Sequence, residues 1–204
     1  MPPDSVSSAT ALIRTTTEME QPVKVWELRN GQVNETAPLV YANDDEMRSG
    51  MFDANGQPLA WKHRPQLAVF KEPRRKQPKP RADISTLRPG ALVLNERAHA
   101  VLGEFLARYG QLLPLECDGE VEYFYNVTRL IDCVDRERSA KRSSGSIAKE
   151  VFFEQAVPQE AVVFKDPLMA RTRIYVNQAA KDLLQKLIGE AALTGVEFVT
   201  PGTP

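Results

Sequence analysis

The sequence contains one pattern twice: a short apolar run, an asparagine, and then a stretch in which apolar residues recur every three or four positions. Asn95 follows the run ALVL, and Asn177 follows the run RIYV 82 residues later. Asparagine is a preferred helix N-cap, and this apolar spacing places the residues on one face of a helix. The first face comprises Ala98, Val101, Leu102, Phe105, Leu106 and Tyr109, and the second comprises Ala180, Leu183, Leu184, Leu187, Ile188 and Ala191. The pattern predicts two capped amphipathic helices, either as two unrelated helices or as a pseudo-duplicated strand, helix, strand unit.

Short segments rich in β-branched and aromatic residues surround the two helices, separated by turn-forming and charged residues. Such segments predict strands, beginning with VKVWEL at residues 23–28 and LAVF at residues 67–70. The predicted fold class is α+β, with a mostly antiparallel sheet or sheets flanked by the two main amphipathic helices. We expect Gly110 to end the first helix, and Thr194 and Gly195 to form the turn after the second.

The composition of the chain suggests a division into three parts. Residues 1–22 are rich in serine, threonine and proline and are expected to form a weakly ordered N-terminal segment. Residues 71–81 combine prolines with basic side chains, which is typical of an exposed connection. We therefore expect a small N-terminal lobe over residues 23–82, which includes this basic connection, and a core domain over residues 83–204.

The charges argue against bulk nucleic-acid binding. Lysine and arginine total 26 against 27 acidic residues, so the formal net charge is −1 and no global field attracts phosphate. The basic residues of the connection are Lys71, Arg74, Arg75, Lys76, Lys79 and Arg81. No aromatic residue for base stacking lies among them, so we expect no direct nucleic-acid contact.

The sequence gives no sign of export or membrane insertion. No apolar run approaches the roughly 20 residues of a membrane-spanning helix, and residues 1–22 lack a basic start and an apolar core. The two cysteines, Cys117 and Cys133, do not form the pattern of a secreted disulfide framework. We therefore expect a cytoplasmic protein without a membrane partner.

Few residues suggest catalysis, metal binding or cofactor binding. The possible zinc ligands are widely scattered, at His63, His99, Cys117 and Cys133, and neither a nucleophile elbow nor a phosphate-binding glycine motif occurs. We therefore expect no catalytic residue, no metal and no cofactor.

Carboxylates do cluster in the sequence. One group is Asp44, Asp45 and Glu46, a second is Glu116, Asp118, Glu120 and Glu122, and a third is Asp132, Asp135 and Glu137. Such groups could run acid–base chemistry, could protect a solvated sheet edge, or could complement a basic partner. A solvated edge or hairpin rim is the simplest interpretation. For a protein partner, the candidate binding residues are Asp44, Asp45, Glu46, Glu116, Asp118 and Glu120.

Several motifs follow one another after residue 83. An asparagine-capped helix begins with ERA and ends in YG at Gly110, and LLPL occupies Leu112 to Leu115. YFYNVT spans Tyr123 to Thr128, IDCVD spans Ile131 to Asp135, and the chain closes with RIYVNQ and LTGVEF. In their order and spacing these motifs resemble a bacterial immunity-protein family of polymorphic toxin systems, long catalogued as a domain of unknown function. The resemblance covers about residues 83–199, whereas residues 1–82 match poorly.

The resemblance implies a protein that binds a cognate toxin of a type VI or contact-dependent secretion system, with no catalytic motif to carry over. Its toxin would act in the cytoplasm, and a nuclease ranks first because its basic groove would attract an acidic surface. Two alternatives stay open. The chain could be a non-inhibitory adaptor or chaperone-like module for a secreted effector, or an enzyme that uses the carboxylate cluster.

Overall fold

The structure, a computed structural model, describes residues 23–73 and 77–202. The expected N-terminal segment, residues 1–22, lies outside the described residues, as do Arg74, Arg75 and Lys76 of the basic connection. In chain order the elements are β1 (Val25–Asn30), β2 (Leu39–Tyr41), α1 (Asp44–Arg48), β3 (Gln66–Val69), β4 (Ile84–Ser85), β5 (Leu92–Leu94), α2 (Glu96–Leu106), β6 (Gly110–Cys117), β7 (Glu120–Val127), β8 (Ala140–Lys141), β9 (Ile147–Lys149), a 3-10 helix (Glu154–Ala156), β10 (Val163–Phe164), β11 (Tyr175–Asn177), α3 (Gln178–Glu190) and β12 (Val196–Val199). The fold is α+β, as the sequence predicts.

Two sheets and a hairpin contain these strands. The four-stranded sheet has the order β10-β11-β1-β12, the six-stranded sheet has the order β2-β3-β6-β7-β5-β4, and β8 pairs with β9. Among the strands described, all pairings are antiparallel except that of β3 with β6. Because β1 pairs with β11 and β12, and β3 pairs with β6, both sheets cross the boundary expected at residue 82.

The two helices belong to units of the same topology. In the first unit α2 connects β5 to β6, and these strands flank β7. In the second unit α3 connects β11 to β12, and these strands flank β1. Each middle strand is antiparallel to both neighbours, so the flanking strands run parallel and require a crossover helix. The middle strand follows its unit in one case and precedes it in the other.

The helix caps have the predicted geometry. Asn95 Oδ1 accepts a hydrogen bond from the amide of Ala98, and Asn177 Oδ1 accepts one from the amide of Ala180, both at 2.9 Å. These bonds satisfy amide groups that the first helical turn leaves without a partner. We expected Gly110 to end α2, but α2 ends at Leu106 and Gly110 is the first residue of β6. A Cβ at Gly110 would lie 2.3 Å from the carbonyl oxygen of Asn126 in the paired strand β7. A glycine is therefore required here for the two strands to approach so closely.

The largest apolar cluster lies between α2, α3 and the facing sides of the two sheets. Leu102 and Leu184 are central to it, with exposures of 2% and 1%. The whole predicted face of α2 belongs to the cluster or packs against it. Leu183 is an exception to the predicted face of α3, because 38% of this residue is exposed. The apolar face of α3 is therefore narrower than the sequence pattern predicts.

The opposite side of the six-stranded sheet is closed by the loop between α1 and β3. Phe52 in this loop packs edge-to-face against Trp61 and Phe124, with ring centroids 5.3 and 5.4 Å apart. Trp61 Nε1 donates a hydrogen bond to the carbonyl of Met51 at 2.6 Å, which closes the loop on itself. Among the described residues, this apolar cluster covers most of the side of the six-stranded sheet that faces away from α2.

Candidate functional site

The first acidic group forms the first turn of a short helix. Asp44, Asp45 and Glu46 begin α1, and Asn43 caps it by accepting a hydrogen bond from the amide of Asp45 at 2.8 Å. Negative side chains are favourable at this end of a helix, which gives the group a local structural reason. Asp44 and Asp45 are exposed to solvent.

Strand β3 brings the first and second acidic groups together. The Glu46 carboxylate accepts a hydrogen bond from the amide of Gln66, the first residue of β3, at 3.1 Å. Glu116 lies opposite Gln66 in the parallel pairing of β3 with β6. Asp118, in the turn after β6, accepts a hydrogen bond from the amide of Val69 at 3.4 Å. The two groups, about 70 residues apart in sequence, therefore border one strand.

The six candidate carboxylates differ in how they are held. Those of Glu46 and Asp118 are hydrogen-bonded to the backbone of β3. The other four, in the part of the chain that the structure describes, have side chains without a hydrogen bond or ion pair: Asp44, Asp45, Glu116 and Glu120. Unpaired carboxylates are those that a partner can engage without breaking an existing contact.

We call the six carboxylates the acidic border: Asp44, Asp45, Glu46, Glu116, Asp118 and Glu120. This border ends at a basic loop before β3. His63 Nε2 lies 3.1 Å from Glu46 Oε1, and its neighbours Lys62 and Arg64 are exposed. Negative charge is therefore concentrated at the start of α1 and at the turn between β6 and β7.

These carboxylates border an uncovered area of the six-stranded sheet. Side chains alternate between the two faces of a strand. Helix α2 covers the side chains of Leu112 and Tyr125, and its His99 stacks on Tyr123 with ring centroids 3.5 Å apart. Beyond Tyr123, the register places on the same face a set of residues that we call the open sheet face: Val40, Gln66, Ala68, Pro114, Glu116 and Val121.

The open sheet face is partly apolar. Val40 and Val121 are 36% and 40% exposed, and Phe70, directly after β3, is 44% exposed. Met47 of α1 is also exposed. Half of the large apolar residues that are exposed within the described chain thus lie on β2, α1, β7 or the end of β3. Apolar area rimmed by charged side chains is typical of a protein-binding surface.

The titratable groups of the sheet are poorly suited to nucleophilic chemistry. Burial, together with the negative charge of Glu122, raises the pKa of the Cys117 thiol to about 11, although Arg81 acts in the opposite direction. Burial likewise raises the pKa of Cys133. Both thiols are free and buried, and at neutral pH they are protonated and therefore weak nucleophiles. Burial also lowers the pKa of His99.

Two acidic residues that we interpreted as part of a solvated rim are buried. Glu122 is 5% exposed and pairs with Arg81, which belongs to the basic connection that we expected to be exposed. Asp135 is also 5% exposed, and its Oδ1 accepts hydrogen bonds from the amides of Glu137 and Arg138 at 3.0 Å each. Their role is structural: one closes an ion pair and the other holds a turn.

The sequence interpretation missed a buried network of ion pairs and hydrogen bonds that involves β1 and β11 of the four-stranded sheet. Arg173 contacts the Glu27 carboxylate, and its Nε donates to Glu150 Oε1 at 2.7 Å. The hydroxyl of Tyr175 donates to the same oxygen at 2.8 Å. Burial raises the pKa of Glu27 despite its contact with Arg173. A charged residue inside the strand VKVWEL was the available signal for this network.

A second pair of buried charges, Lys165 and Asp166, follows β10. Both residues are fully buried. Lys165 Nζ donates a hydrogen bond to the carbonyl of Ala54, and burial lowers the pKa of this lysine to about 8. Asp166 Oδ2 accepts hydrogen bonds from the amides of Cys133 and Val134 at 2.9 and 2.7 Å. These contacts fix two loops to the body of the protein, and their sequence signal is a charged pair directly after an apolar run.

Within residues 23–73 and 77–202, no group of three or more histidine, cysteine, aspartate or glutamate side chains is arranged to hold a metal ion. The helices in these ranges are also too short or too polar to cross a membrane. The open sheet face and its carboxylates are thus the candidate functional site. No family model matches the chain, and no curated protein matches it either.

Proposed function

We propose that this protein is an immunity protein that neutralises a cognate bacterial toxin by binding it one to one. The observation that carries the proposal is the meeting of two distant acidic groups at β3, beside a sheet face that is left exposed by the elements the structure describes. The resemblance of residues 83–199 to an immunity-protein family supports the same function. In this proposal the toxin, rather than a small substrate, occupies the candidate site.

The surface has the chemistry that suits a protein partner. Exposed Val40, Phe70 and Val121 supply apolar area, and the unpaired carboxylate of Glu116 lies opposite Val121 on the same face. Glu120, also unpaired, belongs to the acidic border at the start of β7. An apolar centre excludes water, whereas a charged border selects the partner and speeds encounter. Because the border is acidic, the complementary surface on the partner is basic.

A nuclease toxin fits this complement best. Enzymes that cleave nucleic acids have basic grooves that attract phosphate, and an acidic surface can occupy such a groove. We propose that the protein meets its toxin in the cytoplasm, which is where nucleic-acid substrates are found. Binding of the acidic border over the basic groove would block access of the substrate.

Co-expression with the product of the neighbouring open reading frame, which we expect to be the toxin, tests the proposal. The toxin alone should stop growth, and the pair should grow and yield a one-to-one complex in light scattering after gel filtration. A catalytically inactive toxin provides the control, because an immunity protein is dispensable beside it. If the inactive toxin still requires this protein for its accumulation or secretion, the protein is an adaptor or chaperone-like module and the immunity proposal is wrong.

A further inference from the structure

A cleft separate from the open sheet face lies between β1, the β8–β9 hairpin and the turn before β11. Its volume is about 620 Å³, within the range of about 300–1,000 Å³ that is common for small-molecule sites. Glu27 and Arg173 lie in its wall and are paired with each other. The Glu27 carboxylate in the wall is thus held by Arg173, which also pairs with Glu150.

Two arginines that line this cleft have no partner. The side chains of Arg136 and Arg142 are exposed and make no hydrogen bond or ion pair with any described residue. Arg29, which also lines the cleft, contacts Glu197 at 2.8 Å. Two guanidinium groups are thus available to a ligand, with a combined charge of +2.

The lining of the cleft also includes apolar side chains. Leu168 is 44% exposed, and it lines the cleft together with Met169, Pro89 and Ile147. The hydroxyl-bearing residues Ser146 and Thr172 lie in the same wall. A ligand for this cleft therefore combines an anionic group with an apolar group.

We propose that this cleft binds a phosphate monoester with an apolar or aromatic substituent. The planar guanidinium group matches the oxygens of phosphate, and two such groups match its charge of about −2. The substituent packs on Met169 and on Leu168, whose side chain is otherwise exposed to water. This site is independent of the toxin-binding proposal, because its residues lie outside the open sheet face and its acidic border.

Binding of phenyl phosphate to the full-length chain tests this inference. In nuclear magnetic resonance titrations, the amide signals of Gly145, Ser146 and Thr172 should shift saturably. Affinity for phenyl phosphate should exceed that for inorganic phosphate by about tenfold or more, because inorganic phosphate lacks the apolar contact. Benzoate should bind more weakly than phenyl phosphate, because it carries a single negative charge.

A pair of double variants distinguishes a built site from general attraction of anions. Arg136→Gln with Arg142→Gln should lower the affinity for phenyl phosphate about tenfold or more, which corresponds to about 1.4 kcal/mol or more. Arg48→Gln with Arg64→Gln removes two exposed arginines outside the cleft and should leave the affinity unchanged. The inference is wrong if no saturable shift occurs up to about 10 mM phenyl phosphate, if inorganic phosphate or benzoate binds as tightly, or if both double variants lose affinity equally.

Discussion

The carboxylate of Asp83 joins the two helical units by accepting two hydrogen bonds from Thr194, which lies 111 residues later in the chain. The donors are the backbone amide and the hydroxyl of Thr194, each 2.9 Å from Oδ2. Asp83 Oδ1 accepts a further bond at 3.1 Å from the side chain of Asn95, the N-cap of α2. This single buried carboxylate therefore connects the start of α2 with the turn after α3.

Asp83→Asn should lower the free energy of unfolding by about 1–3 kcal/mol. The side chain of asparagine has an NH2 group in place of one oxygen of aspartate. At least one of the groups that donate a hydrogen bond to Asp83 would then face another donor and would be buried without a hydrogen bond. Urea denaturation measures the change. Asp132→Asn, at an exposed aspartate, is the matched control and should change stability by about 0.5 kcal/mol or less. A loss for Asp83→Asn no larger than that of the control would contradict the proposed role.

Asp83 should also make the fold sensitive to acid. Burial favours a higher pKa, but hydrogen bonds from Thr194 and Asn95 and the charge of Arg97 outweigh it, so the pKa of Asp83 is lowered from 3.8. Because the folded-state pKa is below the unfolded one, the stabilisation is complete above the unfolded value and is lost as pH falls through the folded value. Urea unfolding from about pH 6 to about pH 2 should show a smaller loss in Asp83→Asn than in the unchanged protein. Equal losses of stability in the two proteins would show that Asp83 does not contribute to the acid sensitivity of the fold.

Leu102→Ala and Leu184→Ala should each destabilise the protein by about 2–5 kcal/mol, because each removes buried methyl groups from the cluster between the helices and the sheets. Leu183→Ala is the control on α3, since Leu183 is 38% exposed, and it should cost much less. Chemical unfolding measures all three variants. A change below about 0.5 kcal/mol for Leu102 or Leu184 would show that the helix faces are packed differently.

Gly195→Ala should be more destabilising than Gly119→Ala by about 1–3 kcal/mol. Both glycines have positive φ, of 95° and 91°, so both variants incur the backbone penalty of a left-handed residue. Only at Gly195 would the added Cβ meet a neighbour, at 1.9 Å from the carbonyl oxygen of Ile84. Equal losses in thermal or chemical unfolding would mean that β4 moves away without cost.

Local features of the fold could be predicted because they depend on neighbouring residues. Asn95 and Asn177 are recognisable as caps since the apolar periodicity begins directly after them. The pairing of β1 with β11 and β12 depends on residues about 150 to 170 positions away, which no local pattern encodes. We expected a separate lobe at residues 23–82 because of the composition of the chain, whereas the sheets are determined by hydrogen bonds between distant strands.

The sequence indicated the acidic residues of the candidate site but neither the sheet face beside them nor their arrangement. The sequence identified the acidic groups that include Asp44 and Glu116, yet their approach depends on the parallel pairing of β3 with β6. Burial of Glu122 could not be foreseen, because its partner Arg81 lies in a basic segment that resembles a solvated linker. The open sheet face is defined by where α2 stops covering the sheet, which is a property of packing.

The central claim, that the open sheet face and its acidic border bind a basic toxin, can be tested by charge reversal. Glu116→Lys with Glu120→Lys changes two unpaired carboxylates at the proposed surface. Glu104→Lys with Glu190→Lys makes the same change in net charge on α2 and α3, where these side chains are 93% and 64% exposed. The fold of both double variants can be compared by unfolding in urea.

Stopped-flow measurement of association with the proposed toxin, the product of the neighbouring open reading frame, is the direct test. At low salt the reversal of Glu116 and Glu120 should slow association about tenfold or more, and the difference should shrink as salt screens the charges. The control reversal of Glu104 and Glu190 should have a much smaller effect. If both variants associate with the toxin as fast as the unchanged protein does, or if both are slowed equally, the open sheet face and its acidic border are not the binding surface.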